Sequence, residues 1–339
     1  MKVIIQIPCY NEAETLPVAL AELPRNLEGI DEVEWLIVDD GSSDETVNTA
    51  ISAGVDYVVS HRRNMGLAKA FLTGLEACAR LDADIIVNTD ADNQYYAGDI
   101  QKLINPILSG KAEYVIGTRP INQIEEFSFL KKQLQKFGSW VVRVLSQTNI
   151  QDAPSGFRAI SRSAALRLHV FNQYTYTLET VIQAGQSGIV TTCVPVKTNE
   201  QLRPSRLISS IPSYLQKSST TILRSLATYR PFTFFVVPGV ILLLIAILLG
   251  MRYLYFLFSG GGAGHLQSLI LAVMLFVTGF STITIGFLTD LIAINRKLIE
   301  DVEFQTKSLL FRLTQLQGDP ESDFLTHGKL VYSRRKTEN

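Results

Sequence analysis

The chain has 339 residues, 47% of them hydrophobic, and a formal net charge of −1 at pH 7. This length allows one large domain and a smaller appendage, and the near-neutral charge argues against a general nucleic-acid binder. Three widely spaced cysteines (Cys9, Cys78 and Cys193) and four scattered histidines argue against a disulfide framework and a zinc site, and fit a reducing compartment.

The first 120 residues alternate short apolar runs with stretches of helical spacing. The helical stretches predict helices at 12–23 and 67–81, and Ser43 or Asp44 is placed to cap another helix between them. The apolar runs predict strands at 3–7, 35–38, 56–60, 85–88 and 114–117. This alternation is typical of an α/β fold with a mostly parallel sheet and helices on both faces.

The remainder of the chain is more varied. Residues 124–150 have the spacing of a long amphipathic helix, and a strand is predicted near 189–196. Residues 204–231 interleave Ile, Leu and Tyr with Ser, Lys and Arg, which is typical of helices lying at a membrane interface. After residue 318 we expect an irregular tail. The predicted segments are an α/β domain (1–203), interfacial helices (204–231), a helical hairpin (232–294) and a C-terminal helix and tail (295–339).

Two long uncharged runs interrupt the second half of the chain. Residues 232–251 and residues 266–289 contain no Asp, Glu, Lys or Arg. Each run is long enough to cross a hydrocarbon core of about 30 Å at about 1.5 Å per residue. The two runs therefore predict a transmembrane hairpin, and the alternative is a pair of buried core helices.

Positive charges flank the hairpin on both sides. The connecting loop carries only Arg252, whereas the flanks carry Arg203, Arg206, Lys217, Arg224 and Arg230 before the first run and Arg296, Lys297, Lys307 and Arg312 after the second. Because cytoplasmic segments are enriched in Lys and Arg, both ends of the chain are predicted to face the cytosol, with the hairpin tip outside.

Polar residues follow three of the predicted strands at the point where each strand ends. The three clusters are Pro8, Tyr10, Asn11 and Glu12; Asp39, Asp40, Gly41 and Ser42; and Asp90, Asp92, Asn93 and Gln94. Ligands of open parallel sheets bind at the carboxyl ends of strands, so we expect the clusters to meet there. Their carboxylates would repel one another without a cation, and Asp-x-Asp offers oxygen ligands that suit Mg²⁺ or Mn²⁺. Taken singly, Asp-x-Asp also fits a solvated loop or a cap, and the cluster from Asp39 to Ser42 also fits a turn with a helix cap.

Six short segments stand in the order found in family 2 glycosyltransferases of the GT-A fold. They are residues 7–12 (IPCYNE), 38–46 (VDDGSSDET), 64–70 (NMGLAKA), 90–94 (DADNQ), 117–119 (GTR) and 152–158 (DAPSGFR). Over residues 1–300 the chain resembles the polyprenyl- and dolichyl-phosphate sugar transferases, in particular the GtrB-type bactoprenol glucosyltransferase branch. The resemblance implies a GT-A catalytic domain, which is a Rossmann-like mixed sheet with helices on both faces, and two C-terminal transmembrane helices.

The resemblance also implies roles for individual residues. Asp90 and Asp92 would be the metal ligands, with Mg²⁺ or Mn²⁺ as the cofactor, and Arg119 would meet a phosphate. The implied nucleotide-sugar site consists of Pro8, Tyr10, Glu12, Asp40, Gly66, Lys69, Asp90, Gln94, Arg203 and Arg206, the last two in a loop that closes over the donor. The chain departs from the family after Asp92, where Asn-Gln-Tyr-Tyr-Ala replaces Leu-Gln-x-x-Pro, a change expected to affect the start of the next helix.

The implied acceptor is a phosphate monoester, whose second pKa of about 6 leaves it largely dianionic near neutral pH. It therefore needs cationic positioning more than it needs deprotonation. We expect Arg119, with Lys136 and Ser139 on the predicted 124–150 helix, to hold the acceptor phosphate. Lys136 also fits an exposed helix face.

Asp152 is the expected carboxylate at the reacting centre. It would act as a base or orient the acceptor pocket, and it also fits a turn with Pro154 and Gly156. The predicted catalytic residues are thus Asp152, Asp92 and Arg119. A single displacement at the anomeric carbon predicts inversion, with the metal stabilising the departing nucleoside diphosphate.

The functional prediction is inverting transfer of glucose from UDP-glucose to undecaprenyl phosphate, for later glycosylation in the cell envelope. GDP-mannose is the alternative donor. A processive polysaccharide synthase would carry Gln-x-x-Arg-Trp, whereas Trp35 and Trp140 follow Glu and Ser. A non-enzymatic scaffold that senses nucleotide-sugars is the last alternative, against which the retained acidic residues argue.

We further expect a multi-pass protein of the inner cell membrane, with its catalytic domain in the cytosol and no nucleic-acid partner. The family resemblance suggests a homotetramer. Small residues in the spans, namely Gly250, Gly279 and Gly286, would let copies of the chain pack closely.

Overall fold

The computed structural model describes residues 1–120, 148–170, 176–199, 226–260, 262–317 and 328–334, with a few single positions between these ranges. The chain divides into two compact units. The first comprises residues 1–222 and 304–339, and the second comprises residues 223–303. Most of the predicted helix at 124–150 and of the predicted interfacial segment at 204–231 lies outside the described residues.

An eight-stranded sheet forms the centre of the first unit, in the order β7-β5-β6-β4-β1-β2-β3-β8. The pairings β1–β2, β1–β4, β2–β3 and β5–β7 are parallel, whereas β6 and β8 run against their neighbours. The strands are β1 (Lys2–Cys9), β2 (Glu32–Asp39), β3 (Tyr57–Ser60), β4 (Ile85–Asn88), β5 (Tyr114–Thr118), β6 (Arg158–Ser161), β7 (Thr191–Pro195) and β8 (Lys329–Ser333).

The central strands are buried on both faces. In β1 and β2, every residue after the first is buried, as expected for parallel strands covered by helices on both sides. The described helices of this unit are α1 (Leu16–Glu22), α2 (Thr46–Ser52), α3 (Leu67–Arg80), α4 (Ile100–Leu108), α5 (Arg162–Arg167) and α6 (Thr177–Gln186). The mixed α/β sheet predicted from the sequence is confirmed.

The helix predicted at 12–23 begins later than expected, at Leu16. The backbone carbonyl of Glu12 accepts hydrogen bonds from the backbone N–H groups of Thr15 and Leu16, at 3.2 and 2.9 Å, so residues 12–15 form a turn. Pro17 lies in the first turn of α1, where its missing N–H costs no hydrogen bond. Residues 10–15 are thereby left for the loop that follows β1.

The C-terminal tail contributes β8, so the expectation of an irregular tail after residue 318 is wrong for Lys329–Ser333. These residues pair antiparallel with β3, and the backbone N–H of Arg334 donates to the carbonyl of Asp56 at 2.9 Å. Leu330 and Tyr332 are half-buried, Lys329 and Val331 are exposed, and Ser333 at the end of the strand is buried. Without β8, the outer edge of β3 would expose unpaired backbone groups.

Two long helices make up most of the second unit. They are α7 (Pro231–Phe258) and α8 (Leu266–Gln317), the latter continuing beyond this unit. Both are long and apolar enough to cross a membrane, and only 11% and 17% of their most apolar windows are buried. This exposure distinguishes them from the core helices of a soluble protein, which was the alternative interpretation.

Glycines allow α7 and α8 to approach closely. A Cβ on Gly239 would lie 3.0 Å from the carbonyl oxygen of Gly279, and a Cβ on Gly279 would lie 2.9 Å from that of Gly239. A Cβ on Gly286 would lie 2.8 Å from Val236, whereas one on Gly250 would meet open space. Gly279 and Gly286 therefore contact α7 of the same chain, and packing between copies of the chain stays a prediction.

Candidate active site

Five strands of the sheet (β1–β5) and β7 run in one direction, so their carboxyl ends share one edge, which we call the carboxyl edge. β6 runs the opposite way. The loop that precedes β6, residues 152–157, therefore also arrives at the carboxyl edge. Topology thus brings this loop to the residues that follow β4 and β5.

Asp90 and Asp92 follow β4 at this edge. Asp90 lies against Gly156 of the 152–157 loop, where a Cβ would come within 2.9 Å of both carboxylate oxygens. Asp92 accepts a hydrogen bond from the backbone N–H of Gln94 at 3.2 Å. Asn93 between them has a φ of 55°, a left-handed conformation that asparagine tolerates. The close approach of Asp90 to the loop thus requires glycine at position 156.

The pKa of Asp90 is raised to about 7, because burial removes water from the carboxylate and the charge of Asp92 lies nearby. The positive charges of Arg119 and Arg158 oppose this rise. A carboxylate pair whose ionisation is opposed by burial and by mutual repulsion favours a bound cation. Two carboxylates give hard oxygen ligands that fit Mg²⁺ or Mn²⁺. Among the described residues, no group of three or more His, Cys, Asp or Glu side chains could hold a metal ion, so further ligands would have to come from a substrate or water.

Arg119 and Asp152 form a buried bidentate ion pair at the carboxyl edge. Arg119 donates from Nε at 2.7 Å, from Nη2 at 2.9 Å and from its backbone N–H at 3.2 Å. Asp152 is fully buried. Burial alone would lower the pKa of Arg119, but Tyr95 and Asp152 raise it above its usual range. Two residues predicted as catalytic thus contact each other, an arrangement that the sequence did not predict.

Arg158 anchors the 152–157 loop through buried hydrogen bonds. Its fully buried guanidinium donates to the carbonyls of Ser155 and Ala153, at 2.7 and 2.8 Å, and to Thr177 and Thr180 on α6. Within the described part of the chain, no carboxylate lies within 4.0 Å of it. Arg158 belongs to the 152–158 segment, but sequence reasoning gave it no role. Only its place in that segment could have indicated one.

A chain of buried amides and hydroxyls supports the same loop. Gln6 on β1 donates to Asn88 on β4 at 2.9 Å, and Asn88 donates to the carbonyl of Gly156 at 2.8 Å. The backbone N–H of Gly156 donates in turn to the hydroxyl of Tyr95 at 2.9 Å. Burial raises the pKa of Tyr95 to about 12, which keeps this hydroxyl neutral. Gly156 is therefore fixed from two sides.

Asp40, predicted to lie near the nucleoside, is buried and engaged within the protein. Its carboxylate accepts hydrogen bonds from the backbone N–H groups of Met65 and Gly66, both at 2.8 Å, and contacts Nδ1 of His61 at 2.7 Å. It thereby joins the loop after β2 to the turn that begins α3. Neither His61 nor this connection was singled out from the sequence.

The other residues predicted to bind the nucleotide differ in burial and in their contacts. Pro8 lies buried within β1, paired with Val38, while Tyr10 beyond it is 42% exposed. Glu12 is buried and accepts from the hydroxyl of Thr15 at 2.7 Å. Gly66, with a φ of 93°, precedes α3, and Lys69 lies in the first turn of that helix. Lys136, Ser139, Arg203 and Arg206 lie outside the described residues.

The segment after Asp92 is fixed to residues 197–199, which follow β7. The backbone N–H of Asn199 donates to the carbonyl of Gln94 at 3.0 Å, and that of Tyr96 donates to Lys197 at 3.2 Å. A short 3₁₀ turn (Ala97–Asp99) then leads into α4. Alanine at position 97, where the family has proline, is therefore compatible with an ordered helix start.

Comparison with known proteins gives a consistent result. The sequence model of Glycosyl transferase family 2 matches residues 4–168. The UDP-N-acetylglucosamine--dolichyl-phosphate N-acetylglucosaminyltransferase of Methanococcus voltae is 31% identical over 214 residues, 57% of this chain and 83% of that protein. The polyprenol monophosphomannose synthase of Mycolicibacterium smegmatis is 27% identical over 211 residues, 59% and 78% of the two chains.

The fold has solved counterparts. Glucosyl-3-phosphoglycerate synthase from Mycobacterium tuberculosis, solved with Mn²⁺, UDP-glucose and phosphoglyceric acid, matches with a TM-score of 0.52 and 19% identity, over 67% of this chain and 79% of that one. This likeness shows the GT-A fold. The matched family model and a relative that is 31% identical and covered over 83% of its length lead to one conclusion: the chain is a glycosyltransferase and belongs to Glycosyl transferase family 2.

Proposed function

We propose that the protein transfers a sugar, glucose from UDP-glucose, to polyprenyl phosphate with inversion, as a GtrB-type enzyme of the inner membrane. The observation that carries this proposal is the arrangement of charged side chains at the carboxyl edge. There, Asp90 of the acidic pair Asp90 and Asp92 lies against the loop that contains Asp152, the partner of Arg119. The two relatives named above act, by their names, on dolichyl phosphate and polyprenol, which supports a lipid phosphate acceptor.

Asp90 and Asp92 would hold Mg²⁺ or Mn²⁺ together with the donor's diphosphate. The raised pKa of Asp90 supports this assignment, because a cation relieves the repulsion between the two carboxylates. When bound, the metal supplies Lewis-acid stabilisation of the departing nucleoside diphosphate. Tyr10, Gly66 and Lys69 would flank the nucleotide, and Gln94 would lie beside the diphosphate.

Arg119 would position the acceptor phosphate. Its guanidinium has five N–H donors, and among the described residues only Asp152 accepts from it, through two of them, so other donors would meet a phosphate oxygen. Asp152 has both oxygens engaged with Arg119 and is fully buried, which supports orientation of Arg119 over a role as base. A dianionic acceptor needs no base, so this division of roles is sufficient for the displacement. Lys136, Ser139, Arg203 and Arg206 remain predicted contributors.

The two apolar helices would anchor the enzyme where its acceptor resides. A polyprenyl phosphate keeps its phosphate at the interface and its tail in the bilayer, so anchoring confines the encounter to two dimensions. The exposed apolar surfaces of α7 and α8 support this placement. The flanking positive charges support a cytosolic catalytic domain. A homotetramer is proposed on the family resemblance alone.

The test uses the purified full chain with undecaprenyl phosphate and radiolabelled UDP-glucose, GDP-mannose and UDP-N-acetylglucosamine, with Mn²⁺ or with EDTA. We expect the label to enter an organic-extractable lipid from UDP-glucose, and only with metal. Transfer from GDP-mannose would support the alternative donor, which the mycolicibacterial relative favours by its name. Polymer without labelled lipid, no transfer from any donor, or full activity in EDTA would contradict the proposal.

A further inference from the structure

Three buried side chains connect the loop after β2, the end of β3 and α3. Nδ1 of His61 lies 2.7 Å from Asp40, and its Nε2 lies 2.9 Å from the hydroxyl of Thr73. No more than 4% of any of the three residues is exposed. A neutral ring protonated on Nδ1 satisfies both contacts, since it donates to Asp40 and accepts from Thr73. We call Asp40, His61 and Thr73 the latch, together with Gly328, which lies beside His61 and Thr73.

The latch determines the shape of the turn before α3. Both carboxylate oxygens of Asp40 accept backbone N–H groups from that turn, those of Met65 and Gly66, at 2.8 Å. Beside Asp40, a Cβ on Gly41 would lie 2.6 Å from the backbone carbon of Arg63. The loops after β2 and β3 are therefore locked together, and the N-terminus of α3 is presented in one orientation.

The C-terminal strand β8 and the preceding Gly328 lie beside His61 and Thr73. β8 pairs with β3, the strand that ends directly before His61. A Cβ on Gly328, the residue before β8, would lie 3.0 Å from Cγ2 of Thr73, 3.4 Å from Cδ2 of His61 and 2.7 Å from Cγ1 of Val59. The tail thus packs directly against Thr73 and His61.

The Asp–His–Thr order resembles the arrangement of a nucleophile with its base, but burial argues against that role. Thr73 is 1% exposed within a helix, and both ring nitrogens of His61 are engaged inside the protein. A substrate could reach neither group. These residues can act on a ligand only through the backbone that they position.

We propose that His61, Thr73 and Gly328 are positioning residues for the donor nucleotide. Through Asp40 they hold the turn at residues 64–66 and the first turn of α3 in the geometry that receives the nucleotide. The proposal rests on the proposed function, which places Gly66 and Lys69 beside the nucleotide. An ordered turn lowers the cost of binding, because it does not have to be immobilised when the ligand arrives.

The test begins with the isosteric change Thr73→Val, which leaves Nε2 of His61 without its partner. Because a buried unsatisfied group is costly, we expect the KM for the nucleotide-sugar and the Kd for UDP with Mn²⁺ to rise about tenfold, with kcat unchanged. Thr73→Ser keeps the hydroxyl and should restore both constants. Thr49→Val on α2 is the matched control, and melting curves establish that each variant folds.

A second variant approaches the latch from the tail. Gly328→Ala places a methyl group against Thr73 and Val59 and should also raise the KM for the donor, without affecting the KM for the lipid acceptor. A wild-type donor KM in Thr73→Val, equal losses in Thr73→Ser and Thr73→Val, or a loss confined to kcat would overturn the proposal. If the wild type itself bound neither UDP nor GDP and transferred no sugar, the proposed function would fail, and the latch proposal with it.

Discussion

Replacing Asp90 with asparagine should stabilise the metal-free protein at alkaline pH while abolishing donor use. In the folded chain the pKa of Asp90 is raised from 3.8 to about 7 by burial and by Asp92. The unfolded chain therefore releases this proton at lower pH than the folded chain does. Between pH 4 and pH 7 the free energy of unfolding falls as pH rises, and above pH 7 the loss is complete.

The size of the expected change in unfolding free energy follows from the shift in the pKa of Asp90. A rise from 3.8 to about 7 corresponds to at most about 4 kcal/mol of unfolding free energy at pH 8. Asp90→Asn lacks the ionisation, so its advantage over the wild type should be absent at pH 4 and should approach that value at pH 8. Bound Mn²⁺ with UDP should remove the wild type's disadvantage but leave the variant unchanged.

The assay is denaturant unfolding of the detergent-solubilised chain in EDTA, from pH 4 to pH 8, with Glu14→Gln as an exposed-carboxylate control. Parallel pH profiles for the wild type and Asp90→Asn would refute the reasoning. So would an Asp90→Asn variant that is less stable than the wild type at pH 8.

Three further perturbations test the site and the hairpin. Gly156→Ala places a methyl group 2.9 Å from both oxygens of Asp90 and should weaken Mn²⁺ binding, measured by electron paramagnetic resonance, at least tenfold; unchanged binding would contradict the assigned contact. Asp152→Asn should loosen Arg119 and lower kcat on the order of a hundredfold while sparing UDP affinity, and a selective loss of UDP affinity would contradict this role. Gly279→Leu should lower the melting temperature of the protein in detergent, whereas Gly250→Leu, which meets open space, should not.

The sequence predicted the parallel part of the sheet well, because short apolar runs that alternate with helical stretches have few alternatives to buried strands. It did not predict β6 or β8, which lie outside the regular strand–helix alternation of the first 120 residues. Strands without such a repeating context are specified by the partner to which they hydrogen-bond, and that partner is distant in the chain. For β8 the partner β3 lies more than 260 positions away.

The site shows the same limit at the level of side chains. The motifs correctly indicated that Asp90, Arg119 and Asp152 lie in one region, but the contact between Arg119 and Asp152 spans 33 positions and depends on the reversal of β6. His61 is a lone histidine in the sequence, where nothing distinguishes it from a core residue. Its contacts with Asp40 and Thr73 arise only when β3 and α3 pack together.

The glycine contact between α7 and α8 limits how copies of the chain can associate within a membrane. Small residues that favour close helix approach are already engaged inside the hairpin at Gly239 and Gly279. The outer faces that remain for contact between copies include bulky exposed residues such as Leu244, Leu248 and Phe280, with Gly250 as a small residue that meets open space. Lipid tails compete with such faces on nearly equal terms, so the number of associated copies should depend on the thickness and composition of the surrounding detergent or bilayer.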